Sequence, residues 1–183
     1  MAESRPKLLL HCCCAPCATH PMRLLSESFD VTAFFYNPNI QPQGELKARR
    51  EEMVKLSQVW EFDLIVGRED TAAWFDAVRG LEDEPEGGRR CAVCYRLRMA
   101  ETARVARERS FTHFDTTLSV SPHKKVSVIH AIGLEIQDET GVIFLASDFK
   151  KKDGFKISCQ LSRDEGLYRQ DYCGCVFSRR GTP

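Results

Sequence analysis

The chain has 183 residues, of which 43% are hydrophobic and 28% are charged, and its 26 basic and 26 acidic residues give a net charge of zero. This composition is typical of a globular protein with one core, so we expect a single catalytic domain over residues 1–183. Balanced charge gives no sign of a polycationic nucleic-acid binder, and no apolar run reaches the roughly 20 residues that a membrane helix needs.

Apolar runs rich in β-branched and aromatic residues alternate with segments of helical periodicity along the chain. The predicted strands are residues 7–11, 31–36, 62–66, 113–118 and 141–146. The predicted helices are residues 18–28, 45–59, 71–78, 91–109, 124–138 and 158–168. Such alternation predicts an α/β fold, a mostly parallel sheet with helices on both faces. Ligands of such sheets bind beyond the carboxyl ends of the strands.

Eight of the nine cysteines fall into three groups. The groups are Cys12-Cys13-Cys14-Ala15-Pro16-Cys17, Cys91-Ala92-Val93-Cys94 and Cys173-Gly174-Cys175. Buried structural cysteines have no reason to cluster, whereas a soft metal needs several converging thiolates. The first two groups each lie at a predicted helix start, where backbone amides lower thiol pKa values. They predict an iron–sulfur centre, with zinc as the alternative because four thiolates suit it equally.

The third group differs because a single residue separates its two cysteines. A disulfide between Cys173 and Cys175 would be strained, and Gly174 gives the backbone the freedom to form it. A strained disulfide is easily reduced, which suits a pair that cycles electrons. The alternative is that both cysteines are further metal ligands.

Polar residues follow the fourth predicted strand, at the same sheet edge as the first cysteine group. Thr116, Ser121, His123 and Lys124 are of the types that hold a phosphate or a sugar, although helix capping explains part of the pattern at Ser121. Asp148 offers a hard oxygen ligand for an iron. The chain has no phosphate-binding glycine loop and no dinucleotide motif, so nothing suggests ATP, flavin or nicotinamide.

The polar segment Met1 to Lys7 lacks the apolar stretch of a signal peptide, which predicts a cytoplasmic protein. Clustered cysteines in the reducing cytosol are more often metal-binding or catalytic than bonded as disulfides.

Taken together and in order, these motifs resemble the cobalamin-independent epoxyqueuosine reductases over nearly the whole chain. The matching segments are Cys13-Cys14-Ala15-Pro16-Cys17, Cys91-x-x-Cys94, Thr116-Thr117-Leu118 with Ser121-Pro122, Asp148-Phe149-Lys150 and Tyr168-Arg169-Gln170-x-Tyr172-Cys173-Gly174-Cys175-x-Phe177-Ser178. The resemblance implies a fold similar to the adenine-nucleotide α-hydrolase (HUP-like) group, with the cysteine loop in place of the pyrophosphate loop. It implies reduction of the epoxide of epoxyqueuosine to an alkene at the tRNA wobble position, the final step of queuosine synthesis.

The resemblance also implies the cofactor and its ligands. Cys13, Cys14, Cys91 and Cys94 would hold a [4Fe–4S] cluster, and Cys173 with Cys175 would be a redox-active pair. One additional iron is allowed nearby, with Cys12, Cys17 and Asp148 as candidate ligands. The tail, about 149–183, would fold back over this metal site. The expected partners are epoxyqueuosine-containing tRNA and an external electron donor, without flavin, cobalamin or ATP.

Two other functions compete with this interpretation. A tRNA sulfur-transfer enzyme with a cluster on a related fold would need an ATP-binding phosphate loop, which is missing after the first strand. A zinc-stabilised nucleic-acid-binding module would contain zinc without iron or sulfide, so metal analysis separates it from the reductase.

Overall fold

The computed structural model describes residues 5–178, in which five parallel strands form one sheet in the order β3-β2-β1-β4-β5. The strands are β1 Lys7–His11, β2 Asp30–Phe35, β3 Leu64–Val66, β4 His113–Thr116 and β5 Ile143–Phe144. The α-helices are α1 Ala15–Leu25, α2 Gln43–Val59, α3 Thr71–Ala77, α4 Arg89–Glu108, α5 Val126–Thr140 and α6 Gly154–Asp164. The predicted parallel α/β sheet is confirmed. The last part of the predicted tail, residues 179–183, lies outside the described residues.

The central strand β1 is buried on both sides, because its successive side chains point to opposite faces of the sheet. Leu8 and Leu10 pack in the core beneath α1 and α2, and α6 packs on α1. Leu9 packs in the second core, beneath α4 and α5. Helices therefore cover both faces, and this explains the nearly continuous apolar sequence of β1.

The strand order creates a crevice between the carboxyl ends of β1 and β4. The connection from β1 to β2 runs through α1 on one face, whereas β4 is reached from α4 on the other face. Neighbouring strands whose connections leave in opposite directions form the switch point at which open parallel sheets bind ligands. The first cysteine group follows β1 and residues 117–124 follow β4, so both border this crevice.

Several element boundaries differ from the predicted ones, and a local reason is visible for three of them. Helix α1 begins at Ala15 rather than at residue 18, because Pro16 in its first turn needs no N–H partner. Strand β4 ends at Thr116, whose Oγ1 accepts a hydrogen bond from the Leu118 N–H and turns the chain into a 3-10 helix. Helix α6 begins at Gly154, where a Cβ atom would lie 1.8 Å from the Phe149 carbonyl oxygen, so only glycine fits this close approach.

No helix within residues 5–178 combines the length and the apolar character that a membrane crossing requires.

Candidate metal and substrate site

The first cysteine group forms a tight turn between β1 and α1. The Cys12 N–H donates to the Phe34 carbonyl at 2.8 Å, which extends the pairing of β1 by one residue. Cys14 is fully extended, with φ −171° and ψ 163°, and α1 begins directly after it. This turn brings the sulfurs of Cys13, Cys14 and Cys17 within 4.8 Å of one another. Soft metals bind converging sulfurs of this kind.

Cys12 does not join this group. Its thiol is fully buried in the core beneath α1 and donates to the Leu10 carbonyl at 3.4 Å. Burial raises its pKa well above the usual value. Cys13 instead packs against the core beneath α4 and α5, so these two neighbouring cysteines lie on opposite sides of the sheet.

Cys13 is the most acidic thiol of the group, because its sulfur accepts hydrogen bonds from neighbouring thiols. Hydrogen bonds from Cys14 and Cys17 lower its pKa well below the usual value, and the charges of Lys124 and Arg98 act in the same direction. The hydrogen bond that Cys14 donates to Cys13 raises the pKa of Cys14 to about 12, and the pKa of Cys17 is raised for the same reason. Cys13 is therefore the cysteine of this turn that most readily forms the thiolate that metals require.

Two polar residues outside the predicted set also contact these sulfurs. The Thr117 hydroxyl donates to the Cys13 sulfur at 3.5 Å and accepts from the Cys13 N–H at 3.2 Å. The Gln170 amide Nε2 donates to the Cys14 sulfur at 2.8 Å. These contacts tie the turn to the segment after β4 and to the tail.

Cys91 and Cys94 were predicted on the first turn of a helix beginning at Cys91; α4 begins at Arg89, so the two cysteines lie in its first two turns. Their sulfurs accept from N–H donors: Gly87 N lies 3.2 Å from the Cys91 sulfur, and Arg98 Nη1 lies 4.0 Å from that of Cys94. Cys91 packs on the same core as Cys13, whereas Cys94 packs with Cys175 and Trp74. Within the described chain, Cys13, Cys14 and Cys17 form the converged ligand group, and Cys91 and Cys94 lie outside it. The four-cysteine ligand set therefore stays a prediction.

The third group provides a second pair of unequal thiols. A hydrogen bond from Cys175, supported by one from Ser178, lowers the pKa of Cys173 to about 5. The pKa of Cys175 is raised by the same bond and by burial. Both cysteines are free thiols, and Gly174 between them has φ +101°, a conformation that side-chain-bearing residues rarely adopt. A Cβ at Gly174 would also lie 2.7 Å from Ile40 Cγ1.

The tail that carries this pair is bound to the loop and helix that follow β2. Arg49 donates to the carbonyl oxygens of Tyr172 at 3.1 Å and Cys173 at 3.2 Å. The Gln41 N–H donates to the Gly174 carbonyl at 2.8 Å, and the Tyr172 hydroxyl donates to the Gln41 carbonyl. Backbone groups are bound on both sides of Cys173, so its position is well defined.

A cavity of about 870 Å³ opens at this edge of the sheet. Sulfur-bearing and polar residues from separate segments line it together, among them Cys13, Cys17, Cys173, Ser121, His123 and Lys124. Three of the four predicted substrate residues are in this lining. The fourth, Thr116, is buried beneath it, where its hydroxyl bonds His11 Nδ1 at 2.8 Å.

Asp148 lies apart from the sulfur group. Its Oδ1 accepts from the Lys150 N–H at 3.3 Å, and Lys150 Nζ in turn donates to the Lys124 carbonyl at 2.8 Å. This aspartate therefore shapes the loop beside Lys124.

Arg98 is not among the residues predicted from the sequence, although the sequence contains a signal for it. It lies four residues after Cys94, a spacing that places both side chains on the same face of α4. Thr117 and Gln170 had no such signal, because their contacts depend on how distant segments pack.

The family model described as "Epoxyqueuosine reductase QueH" matches residues 8–181 of the chain. The epoxyqueuosine reductase QueH of Streptococcus pyogenes serotype M1 is 39% identical over 186 residues, which cover 96% of this chain and 71% of that protein. The QueH protein of Thermotoga maritima is 39% identical over 177 residues, which cover 93% of this chain and 89% of that protein.

Among solved structures, the U34-tRNA thiolase NcsA from Methanococcus maripaludis, determined with its [4Fe-4S] cluster, superposes with a TM-score of 0.60 at 13% identity. The match covers 96% of this chain but 62% of NcsA, so the chain spans about three fifths of that protein's length. This likeness supports the predicted fold. The sequence matches establish more than the fold, and by them the chain belongs to the epoxyqueuosine reductase QueH family.

Proposed function

We propose that this protein reduces the epoxide of epoxyqueuosine in tRNA to the alkene of queuosine. The observation that carries the proposal is that Cys13, Cys17 and Cys173, from opposite ends of the chain, line one cavity. Its volume of about 870 Å³ is within the range of small-molecule sites and suits one nucleoside. The type of reaction is inferred from the QueH family, whose members are named epoxyqueuosine reductases.

The converged thiols fit an iron–sulfur cofactor, because sulfur donors select soft metals and iron–sulfur clusters. We propose Cys13, Cys14, Cys91 and Cys94 as the ligands of a [4Fe–4S] cluster. Cys17 is the best placed of the candidate ligands for a second iron, since Cys12 faces the core and Asp148 bonds its own loop. When bound, the cofactor supplies one-electron transfer and a Lewis-acidic iron.

Cys173 and Cys175 can supply the electrons, and one of the protons, that the reaction consumes. Conversion of an epoxide to an alkene consumes two electrons and two protons and releases one water. Oxidation of the pair to a disulfide provides the two electrons. Cys173 is already a thiolate at neutral pH, so the pair releases one proton, from Cys175. The second proton comes from the ammonium group of Lys124, which lines the cavity, and solvent returns a proton to this lysine after each cycle.

Ser121, His123 and Lys124 are proposed to hold the nucleotide. All three line the cavity from the segment after β4. The Lys150 ammonium donates to the carbonyl of Lys124, which fixes the backbone of this segment. A hydroxyl, an imidazole and an ammonium suit the ribose and phosphate groups of a tRNA.

An external electron donor must reduce the disulfide after each turnover, because each cycle leaves Cys173 and Cys175 oxidised. We propose that the protein acts in the cytoplasm, where tRNA is modified and thiol reductants are present.

The test is anaerobic reconstitution with iron and sulfide, followed by reaction with epoxyqueuosine-containing tRNA and a chemical reductant. The expected result is iron and sulfide bound to the protein and a modified nucleoside that has lost one oxygen atom, measured by mass spectrometry. The matched control is the same protein loaded with zinc, which should leave the substrate unchanged. Zinc in place of iron in anaerobically purified protein, with no reduction of the nucleoside, would favour the zinc-stabilised binding module instead.

A further inference from the structure

Among residues 5–178, three arginines are almost completely buried, and Arg98 is bound differently from the other two. The relative exposures of Arg49, Arg90 and Arg98 are 2%, 1% and 3%. Arg49 forms an ion pair with Glu45 at 2.6 Å and also donates to two backbone carbonyls of the tail. Arg90 donates to three carbonyls of the loop at 81–84 and lies over the ring of Phe177.

Arg98 has neither an ion pair nor a set of carbonyls. One nitrogen donates to the Asn37 amide oxygen, another lies 4.0 Å from the Cys94 sulfur, and Nε is buried with no hydrogen-bond partner. Within residues 5–178 no carboxylate lies within 4.0 Å of its guanidinium group. A buried charge of this kind is costly unless an anion compensates it.

The groups that can supply this negative charge are the cysteine sulfurs near Arg98. Its Nη1 lies 4.0 Å from the Cys94 sulfur on α4. Arg98 also lines the same cavity as Cys13 and Cys17 of the cysteine turn. It therefore borders cysteines of both predicted ligand groups.

We propose that Arg98 is the counter-cation of the thiolate-bound cluster and raises its reduction potential. This inference rests on the proposed function, because it requires the cluster. A fixed positive charge in a dry site stabilises the more negative, reduced form of the cofactor more than the oxidised form. In this role Arg98 acts through its charge on the sulfurs that hold the cofactor.

A purely structural role would be to connect two elements. Asn37 donates to the Cys12 carbonyl at 2.9 Å while its oxygen accepts from Arg98, so this amide joins the cysteine turn to α4. If that were its only role, replacing Arg98 would lower the stability of the folded protein equally with and without the cofactor. The counter-cation role predicts that Arg98 lowers the stability of the metal-free protein.

The experiment compares Arg98→Met, Arg98→Lys and, as a matched control, Arg96→Met. Arg96 lies on the same helix but is exposed and paired with Glu135 and Glu139. Each protein is reconstituted anaerobically, its iron and sulfide are counted, and its reduction potential is measured by spectroelectrochemical titration. The midpoint of urea unfolding is measured on the metal-free proteins.

We expect Arg98→Met to shift the reduction equilibrium toward the oxidised form by roughly tenfold, about 59 mV for a one-electron couple. Arg98→Lys should have a reduction potential close to that of the wild type, because it keeps the positive charge. Arg96→Met should leave the reduction potential unchanged. Metal-free Arg98→Met should be at least as stable as the metal-free wild type.

Three results would overturn the inference. The first is a wild-type potential in Arg98→Met, and the second is an equal shift in Arg98→Lys and Arg98→Met. The third applies if Arg98→Met does not load the cofactor: a metal-free variant less stable than the metal-free wild type would mean that Arg98 serves the fold. Failure of the wild-type protein itself to bind iron and sulfide would instead refute the proposed function.

Discussion

Two regions of the molecule carry hydrogen-bonded cysteines: the turn at residues 12–17 and the pair in the tail. The hydrogen bonding is similar in both, but different structural elements hold the two regions in place. In both, one sulfur accepts hydrogen bonds from neighbouring thiols and becomes acidic, Cys13 in the turn and Cys173 in the tail. The turn is part of the sheet, because Cys12 pairs with β2 and α1 begins directly after Cys14. The tail pair follows α6 and is held mainly by Arg49 and the loop after β2.

This difference in support separates two chemical tasks. A metal site needs ligands whose spacing does not change, and strand-to-helix turns provide such spacing. A disulfide closed across a single residue needs an unusual backbone conformation, and Gly174, with φ +101°, allows one. We infer that the turn holds the cofactor, whereas the tail pair moves electrons.

The largest effect should come from exchanging sulfur for oxygen at each of the two acidic cysteines. Cys13→Ser should lose iron and sulfide together with activity, because the converged group loses its thiolate. Cys173→Ser should keep the iron, the sulfide and the visible absorption, while turnover falls by roughly a thousandfold or more, as for loss of an essential nucleophile. Metal analysis and the nucleoside assay on both variants check this, and an active Cys173→Ser protein would remove the distinction between the two regions.

A smaller effect should follow from releasing the tail without touching a cysteine. Arg49→Met removes the two hydrogen bonds to the carbonyls of Tyr172 and Cys173. We expect unchanged iron content and a roughly tenfold to hundredfold loss of kcat, the scale of a small misplacement of a reacting group. The matched control is Lys47→Met on the same helix, whose side chain is 66% exposed and pairs with Glu51. Iron loss in Arg49→Met would mean that the tail supports the metal site as well.

The smallest effect should be a shift in acidity within the tail pair. Ser178→Ala removes the hydroxyl that lies 2.9 Å from the Cys173 sulfur and helps Cys175 to lower its pKa. The pKa of Cys173 should rise from about 5 by about one unit, the value of one hydrogen bond to a charged group. Alkylation of metal-free protein across pH 4 to 8, followed by peptide mass spectrometry, measures the pKa of Cys173. If the alkylation of Cys173 depends on pH as in the wild type, Ser178 does not contribute to the acidity of Cys173.

The sequence was sufficient to predict the fold but only part of the site. Alternating strands and helices predicted the sheet, because this pattern is set by local periodicity and burial. The position of Ser121, His123 and Lys124 at the cavity was predictable, since adjacent parallel strands end at one edge.

The orientation of individual side chains was harder to predict. Cys12 and Cys13 are neighbours, yet they face opposite sides, and Thr116 turns to His11 rather than to the cavity. Such details depend on the pleat and on partners distant in the chain, as does the contact of Gln170 with Cys14.

One last consequence concerns how the protein should be handled, and it follows from His11 at the end of β1. This imidazole is fully buried, with Nε2 donating to the Tyr36 carbonyl at 3.1 Å and Nδ1 bonded to Thr116, and burial followed by the charge of Arg98 lowers its pKa from 6.5 to about 3. Between those two pH values the unfolded chain takes up a proton that the folded chain does not, so acidification favours unfolding. Purification, dialysis and storage should therefore use buffers of neutral or higher pH. Acid destabilises the fold at the end of β1, directly before the cysteine turn.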